Sequence, residues 1–478
     1  MPLTLAQLWR AVGTGPWPWA EALHSPLSDV VVDSRQATAG SLFVALPGAH
    51  ADGHSFVGDA FRRGALAALV HRPVDAGASS LDTMQPLPLS VDLRLPACFV
   101  VPDTLTTLQK LAAYWRAQYP QCRVVGITGS VGKTTTKELI AAVLRQRFCT
   151  LSSPENYNNE VGLPLSVLRL GPAVEWLAQE MAMYDVGEIA LLARIARPEF
   201  GVVTNVGPTH LERLGSIERI TQAKAELVQA LPEQGLALLN GDDPRVRAMA
   251  TLTPARRVVF YGLEQGNDLW ADDVQTHGLE GLSLRIHWQD RVLPVTLPAL
   301  GRHSAYRILA AAGVGLGAGM AWEQIIAGLQ DPSAQVRLLT VPGVGGTTIL
   351  DDTYNASPAS TSAALDLLAG LSGRKVAVLG GMLELGGFEE EGHRLVGRRA
   401  AETVSLLVTV GKLGRLIAAA ALAHGLPQGN VYSVQDNDGA VQVLREILAQ
   451  GDVVLVKGSR GIAMESIVAQ LRCGAGEE

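Results

Sequence analysis

The sequence predicts an α/β protein of three domains built on mostly parallel sheets, and two observations carry that reading. The chain has 478 residues, which at about 150 residues per domain points to roughly three separate cores. From residue 124 onward, apolar runs of strand length alternate with amphipathic stretches of helical length, the pattern of strands joined by crossover helices.

Residues 1–100 contain short extended segments at 29–32 and 41–46 between turn signals and read as a small α/β first domain. The Pro-rich stretch 85–96 reads as its exit linker. Residues 101–330 form the second domain, with strands expected at 124–128, 174–181, 201–206 and 236–240. After Asp331 and Pro332 the alternation resumes, and residues 331–478 form the third, with strands expected at 347–352, 375–380, 405–411 and 452–457. These last runs are rich in Val, Leu and Ile, as strands covered on both faces are.

Composition narrows the class. With 47% hydrophobic and 18% charged residues the chain is too apolar to be largely disordered. A net charge of -7 without a block of Lys and Arg argues against nucleic acid or anionic membrane as a partner. The longest apolar stretch, 308–320, is too short to span a bilayer, and no basic region followed by an apolar core opens the chain. A cytoplasmic protein without membrane insertion is expected, most simply a monomer. Cys98, Cys122, Cys149 and Cys473 lack C-x-x-C spacing and are read as reduced thiols rather than disulfides or zinc ligands. Only seven of the 39 basic residues are lysines. In a chain that otherwise uses Arg, a Lys marks a place where a compact charge or a reactive amine is needed.

Residues 124–138 read V-V-G-I-T-G-S-V-G-K-T-T-T-K-E: a strand, a Gly-rich turn, and a helix with Leu139, Ile140, Val143 and Leu144 on one face. Such a turn curls backbone N–H groups around phosphate oxygens at a helix N-terminus. Gly129, Ser130, Val131, Gly132, Lys133, Thr134 and Thr135 are therefore the candidate ATP-binding residues, with Lys133 reaching the β and γ phosphates and the Thr134 hydroxyl reaching Mg2+. The strict spacing would place its first Gly at 127, where this chain has Ile. The full fold class is then a central phosphate-loop (P-loop) ATPase domain on a parallel sheet, flanked by a small α/β N-terminal domain and a Rossmann-like C-terminal domain.

Glu180 closes the second expected strand, on the sheet edge where ligands bind, and can ligate a magnesium ion. The next strand runs into T-N-V-G-P-T-H-L-E-R-L-G-S, which puts Asn205, Gly207 and His210 just past its end. His210 is an unusual ligand for magnesium, which prefers oxygen. In the following A-K-A-E, Lys224 would repel a metal as an ammonium; as a carbamate it would be an anionic ligand.

Together these stretches, with N-Y-N-N-E-V-G-L-P-L at 156–165, resemble the Mur ligase family, ATP-dependent amide ligases that build the peptide stem of peptidoglycan. Within it, the resemblance is to the branch that adds D-alanyl-D-alanine to UDP-N-acetylmuramoyl-tripeptide. It rests on D-S-R, L-F-V-A-L-P-G and D-G-H within 33–54, D-D-T-Y-N-A-S-P at 351–358, V-L-G-G-M-L-E-L-G at 378–386 with His393, and L-V-K-G-S-R-G at 455–461. The D-N-P-R motif of the diaminopimelate-adding relatives is absent from the third domain.

The resemblance implies catalytic roles for Lys133, Glu180, His210 and Lys224, magnesium ligation by Thr134, Glu180, His210 and a carbamylated Lys224, and nucleotide contacts from His303, Arg337, Asp352 and Asn355. It places Ser34 and Arg35 on the UDP end of the substrate, Asn158 and Asn159 on the substrate, and Lys457, Ser459 and Arg460 toward the amine or the phosphates. The chain departs from the family at Ser304, Arg307 and Ser357, each in place of an Asn, and at Gly381 in place of an Asp. Two other readings stay open: a related ligase adding a single amino acid to a muramoyl peptide or glutamate to folate, and a nucleotide-binding scaffold without turnover.

Overall fold

The computed structural model describes residues 3–15, 26–48, 51–85, 94–154, 156–332 and 339–473. The chain divides into two compact units, Met1–Gly126 with Phe148–Met183 and Gly187–Glu199, and Ile127–Arg147 with Tyr184–Val186 and Phe200–Glu478.

Within the first unit, five strands form a parallel sheet in the order Val30–Val31, Leu42–Val44, Ala67–Val70, Ala97–Val100, Ser79–Asp82. The stretch 85–96 is therefore not an exit linker. It joins Ser79–Asp82 to Ala97–Val100, and the second of these lies between two strands of the same sheet. Proline density marked a connection but not which elements it connects. The helix Thr104–Ala117 begins at Asp103, whose carboxylate accepts from Thr106 N–H at 2.6 Å. Near its end the buried Arg116 guanidinium donates to the carbonyls of Ala196, Tyr119 and Cys122 at 2.8, 2.6 and 2.7 Å, tying three chain segments with one side chain. Thr150–Ser152 pairs in parallel with Trp176–Glu180. The strand Arg123–Thr128 carries the chain from this unit into the next.

In the second unit, Phe200–Val203, Leu236–Asn240, Arg257–Gly262 and Leu269–Thr276 run parallel, and Leu282–Trp288 and Arg291–Leu297 continue antiparallel. The apolar stretch 308–320 belongs mostly to the buried helix Ser304–Gly317. Among the described residues no helix is long and apolar enough to cross a membrane.

Toward the C-terminus, a second sheet has the order Leu339–Gly343, Thr347–Asp351, Val453–Lys457, Lys375–Leu379, Leu406–Val410, Val431–Val434, parallel except for its first pair. Alternation along its strands fills two cores. Leu350, Ala377, Leu379, Leu407 and Leu455 belong to one, and Ile349, Val376, Val378, Val408 and Val454 to the other. This is the doubly covered, Rossmann-like arrangement expected. The four cysteines are free thiols, and burial pushes Cys98 and Cys122 up to about 11.

Candidate active site

The phosphate loop is held from below by the turn after Phe200–Val203. Ser130 N–H donates to Asn205 O at 2.9 Å, Val131 N–H donates to Asn205 Oδ1 at 2.9 Å, and Thr204 Oγ1 and Asn205 Nδ2 donate to Val131 O at 2.8 and 2.9 Å. Ser130 Oγ donates to Gly207 O at 2.9 Å and accepts from Gly207 N–H at 2.8 Å. The turn is in turn fixed by Asp243, whose Oδ2 accepts from Val206 N–H at 2.8 Å.

Gly129 sits at φ +147°, where a Cβ would lie 1.9 Å from Thr204 Oγ1. The loop closes on the strand end only because nothing projects there. Gly132, in the left-handed region, caps the 13-residue helix Lys133–Arg145 without a side chain, so the first N–H groups of that helix have no acceptor within it. This cradle of backbone donors, with the Lys133 ammonium alongside, fits the phosphates of a nucleotide. Lys133 Nζ donates to Gly129 O at 2.9 Å, within its own loop.

His210 follows the same turn, in a left-handed conformation at φ +57°, and opens the short helix Leu211–Leu214. Its Nδ1 lies 2.6 Å from Glu384 Oε2, and Tyr184 meets its ring edge-on at 5.1 Å. Burial, with the charges of Lys133 and Lys224 acting the same way and Glu384 opposing, lowers its pKa, so His210 is a neutral imidazole at pH 7. Lys224 lies on the helix Ile217–Gln229 and is 2% exposed. Burial first, then the charge on Lys133, holds its amine well below the ordinary lysine range. The fold thus gathers Lys133, His210 and Lys224 within electrostatic reach of one another.

In the first unit, Glu180 Oε1 accepts from Asn158 Nδ2 at 2.9 Å. Asn159 Oδ1 accepts from Gly162 N–H at 2.8 Å, at the start of the helix Gly162–Leu168. Ser34 turns its hydroxyl to Asp59 Oδ2 at 3.1 Å, and Arg35, fully at the surface, chelates Asp33 at 3.0 and 2.7 Å.

His303 immediately precedes the helix Ser304–Gly317. Although the residue is exposed by area, the protein packed around its ring and the charges of Arg307 and Lys457 push it down to about 3. Beside it is a cavity of 490 Å³ lined by Gly301, Arg302, His303, Tyr306, Asp366 and Leu367 among others. Ser304 is buried and donates to Leu300 O at 2.5 Å, while Arg307 Nη2 donates to Ser304 Oγ at 2.8 Å. Lys457, 2% exposed, pairs with Asp352 at 2.6 Å and donates to Asn355 O at 2.9 Å. Ser459 Oγ accepts from Leu383 N–H at 2.9 Å, and Arg460 reaches outward, 5.7 Å from the Tyr354 ring. Arg337 lies outside the described residues.

In the second unit Thr134 and His210 offer a hydroxyl and an imidazole, and in the first unit Glu180 offers a carboxylate. Among the described residues no three of His, Cys, Asp and Glu come close enough to hold an ion by themselves. A hydroxyl, a carboxylate and an imidazole are each of a kind that a divalent cation accepts alongside waters and substrate phosphates. Motif reading missed Glu384 as the partner of His210. It stands 174 positions away, and no local spacing could pair the two.

A Gly-rich loop on a parallel sheet, backed by two lysines and a neutral imidazole, defines an α/β nucleotide-handling enzyme of the phosphate-loop class. Family models match as the Mur ligase family, catalytic domain (residues 27–91), the Mur ligase middle domain (127–315) and the Mur ligase, glutamate ligase domain (336–460). The chain belongs to the Mur ligase family. It is 39% identical to the UDP-N-acetylmuramoyl-tripeptide–D-alanyl-D-alanine ligase of Mycobacterium tuberculosis over 99% of both chains. It is 35% identical to the Escherichia coli enzyme of that name over 93% of this chain and 94% of the other. Among solved structures, MurF from Acinetobacter baumannii superposes with a TM-score of 0.84 at 29% identity, covering 98% of this chain and 99% of that one. MurF from Thermotoga maritima in complex with ADP gives 0.75 at 30% identity, covering 92% and 96%.

Proposed function

We propose that this chain joins D-alanyl-D-alanine to UDP-N-acetylmuramoyl-tripeptide, releasing ADP and phosphate, as a monomer in the cytoplasm. The observation that carries the reading is likeness along the whole chain to ligases of that name, on a chain whose loop can cradle a triphosphate. A carboxylate is a poor electrophile, so the ATP γ-phosphoryl group is first transferred to the peptide's terminal carboxylate to give an acyl phosphate. The D-alanyl-D-alanine amine then attacks that carbonyl, and the tetrahedral intermediate collapses with loss of phosphate.

In this scheme the N–H groups from Gly129 to Thr135 orient the phosphates, and Lys133 places its charge where the transferring group gains negative charge. Thr134, Glu180, His210 and a carbamate on Lys224 would hold magnesium, which would supply further neutralisation of the phosphoryl oxygens. His303 and the cavity beside it seat the nucleotide base, and Asp352 and Asn355, with Arg337 by resemblance to the family, are assigned to the nucleotide. Ser34 and Arg35 meet the UDP end, Asn158 and Asn159 the peptide, and Lys457, Ser459 and Arg460 shape the side from which the amine enters. Holding the reactants in line supplies much of the rate. The three domains of this scheme meet near residues 100 and 330.

Formation of ADP from ATP with UDP-muramoyl-tripeptide is expected only when D-alanyl-D-alanine is added; turnover with a single amino acid in its place, and none with the dipeptide, overturns the assignment. The carbamate has its own test. A buried Lys224 amine in its deprotonated form adds to carbon dioxide with loss of a proton, and the product carries the charge a metal needs. Lys224→Ala is expected to lower turnover about a hundredfold or more, and millimolar formate or acetate to restore part of it by putting a carboxylate in the vacated space. A loss that no small carboxylate relieves removes the carbamate from the scheme.

A further inference from the structure

The loop that leaves Lys375–Leu379 is tied down along its length. Gly380 N–H donates to Lys457 O at 2.9 Å, Ser459 N–H to Gly381 O at 3.1 Å, and Leu383 N–H to Ser459 Oγ at 2.9 Å. The buried His393 accepts from Met382 N–H through Nε2 at 2.9 Å and donates through Nδ1 to Glu389 O at 2.6 Å. Met382 and Leu385, 1% and 2% exposed, anchor the loop on either side of Glu384.

Two features press this loop onto the turn that bears His210. Gly386, at φ +51°, approaches so closely that a Cβ would lie 2.8 Å from Glu212 Cα. Glu384 itself is left-handed at φ +64°, as is His210 at +57°. Left-handed residues other than Gly are strained, and here two such residues meet in one hydrogen bond of 2.6 Å. With Nδ1 engaged by the Glu384 carboxylate, Nε2 is the ring nitrogen left to meet a cation. A carboxylate behind the imidazole is the arrangement that orients metal-bound histidines and raises their basicity. Tyr184, itself covered by Arg213 at 4.8 Å, packs against the ring edge.

We propose that Glu384 is a positioning residue for the divalent cation: it fixes the tautomer and orientation of His210, so that the C-terminal segment supports a ligand carried by the turn that holds the phosphate loop. This rests on the reading of His210 as a metal ligand. It also gives Ser459 and His393 a task apart from substrate, that of holding the loop which presents Glu384.

The test is Mn2+ affinity of the full-length protein in the presence of ADP, read by electron paramagnetic resonance, with thermal midpoints as a check on folding. Glu384→Ala is expected to weaken Mn2+ binding about tenfold or more, and Glu384→Asp, which withdraws the carboxylate, comparably. Glu384→Gln, which keeps an acceptor oxygen at the same reach, is expected to stay within about threefold of the parent. In a His210→Ala background, which is itself weakened, Glu384→Ala is expected to add nothing, because the two residues act as one unit. If His210→Ala weakens Mn2+ binding while folded Glu384→Ala and Glu384→Asp bind like the parent, or if the two losses simply add, the proposal is overturned. If His210→Ala also binds like the parent, the reading of His210 as a ligand fails and takes the proposal with it.

Discussion

Lys133→Ala is expected to reduce ADP formation with both substrates about a thousandfold, while leaving the thermal midpoint close to that of the parent. The first half follows from charge. In phosphoryl transfer the protein does little covalent work, and placed positive charge supplies much of the catalysis; single donors of this kind are worth about 10² to 10³ in rate, and inserted cations more. The second half follows from the contacts: the ammonium's bond to Gly129 O lies within its own loop, and a helix start tolerates alanine. Lys133→Arg is expected to recover little, because the planar fork is larger and differently directed than a compact ammonium. The measurement is coupled ADP release at saturating substrates, and turnover within tenfold of the parent in Lys133→Ala would remove this residue from the reaction.

Gly129→Ala is expected to weaken nucleotide binding about a hundredfold without touching any charged group. A methyl group there lies 1.9 Å from Thr204 Oγ1 and 3.1 Å from Asn205 N, at a φ of +147°. The loop must therefore lift away from the strand end. Backbone strain of about 1–3 kcal/mol adds to the loss of the Thr204 bond to Val131 O, worth about 1 kcal/mol. Their sum corresponds to a drop in ADP affinity of about a hundredfold, measured by titration calorimetry. Thr204→Ser would not relieve it, since the hydroxyl itself is in the way. Thr204→Gly, which removes the obstruction, is expected to restore part of the affinity in the double variant.

Much of the fold was legible because the informative strands are buried on both faces and read as uninterrupted apolar runs. The expected 236–240 coincides with Leu236–Asn240, and 375–380 and 452–457 end within one residue of Lys375–Leu379 and Val453–Lys457. The antiparallel extension Leu282–Trp288 and Arg291–Leu297 escaped notice because only alternate positions are covered, and polar residues interrupt both segments. Ala67–Val70 is fully buried but half alanine, which weakens its strand signal. For the site, the Gly-rich loop announced itself because its residues are contiguous. Lys224 was placed by resemblance, since its position depends on how the helix Ile217–Gln229 folds back. The Lys457 pair with Asp352, across 105 positions, and the Glu384 pair with His210 were beyond any local pattern. Ion pairs of that kind are written in tertiary geometry.

The antiparallel extension has a bearing on how the protein behaves at high concentration. Its last strand, Arg291–Leu297, is the outermost in its sheet among the described residues, and carries Pro294 opposite Arg285. A proline has no hydrogen to offer a newcomer, and the charge at Arg291 discourages stacking of like rims. This rim is thereby blunted against strand addition, which disfavours fibrous self-association through it in crowded solutions.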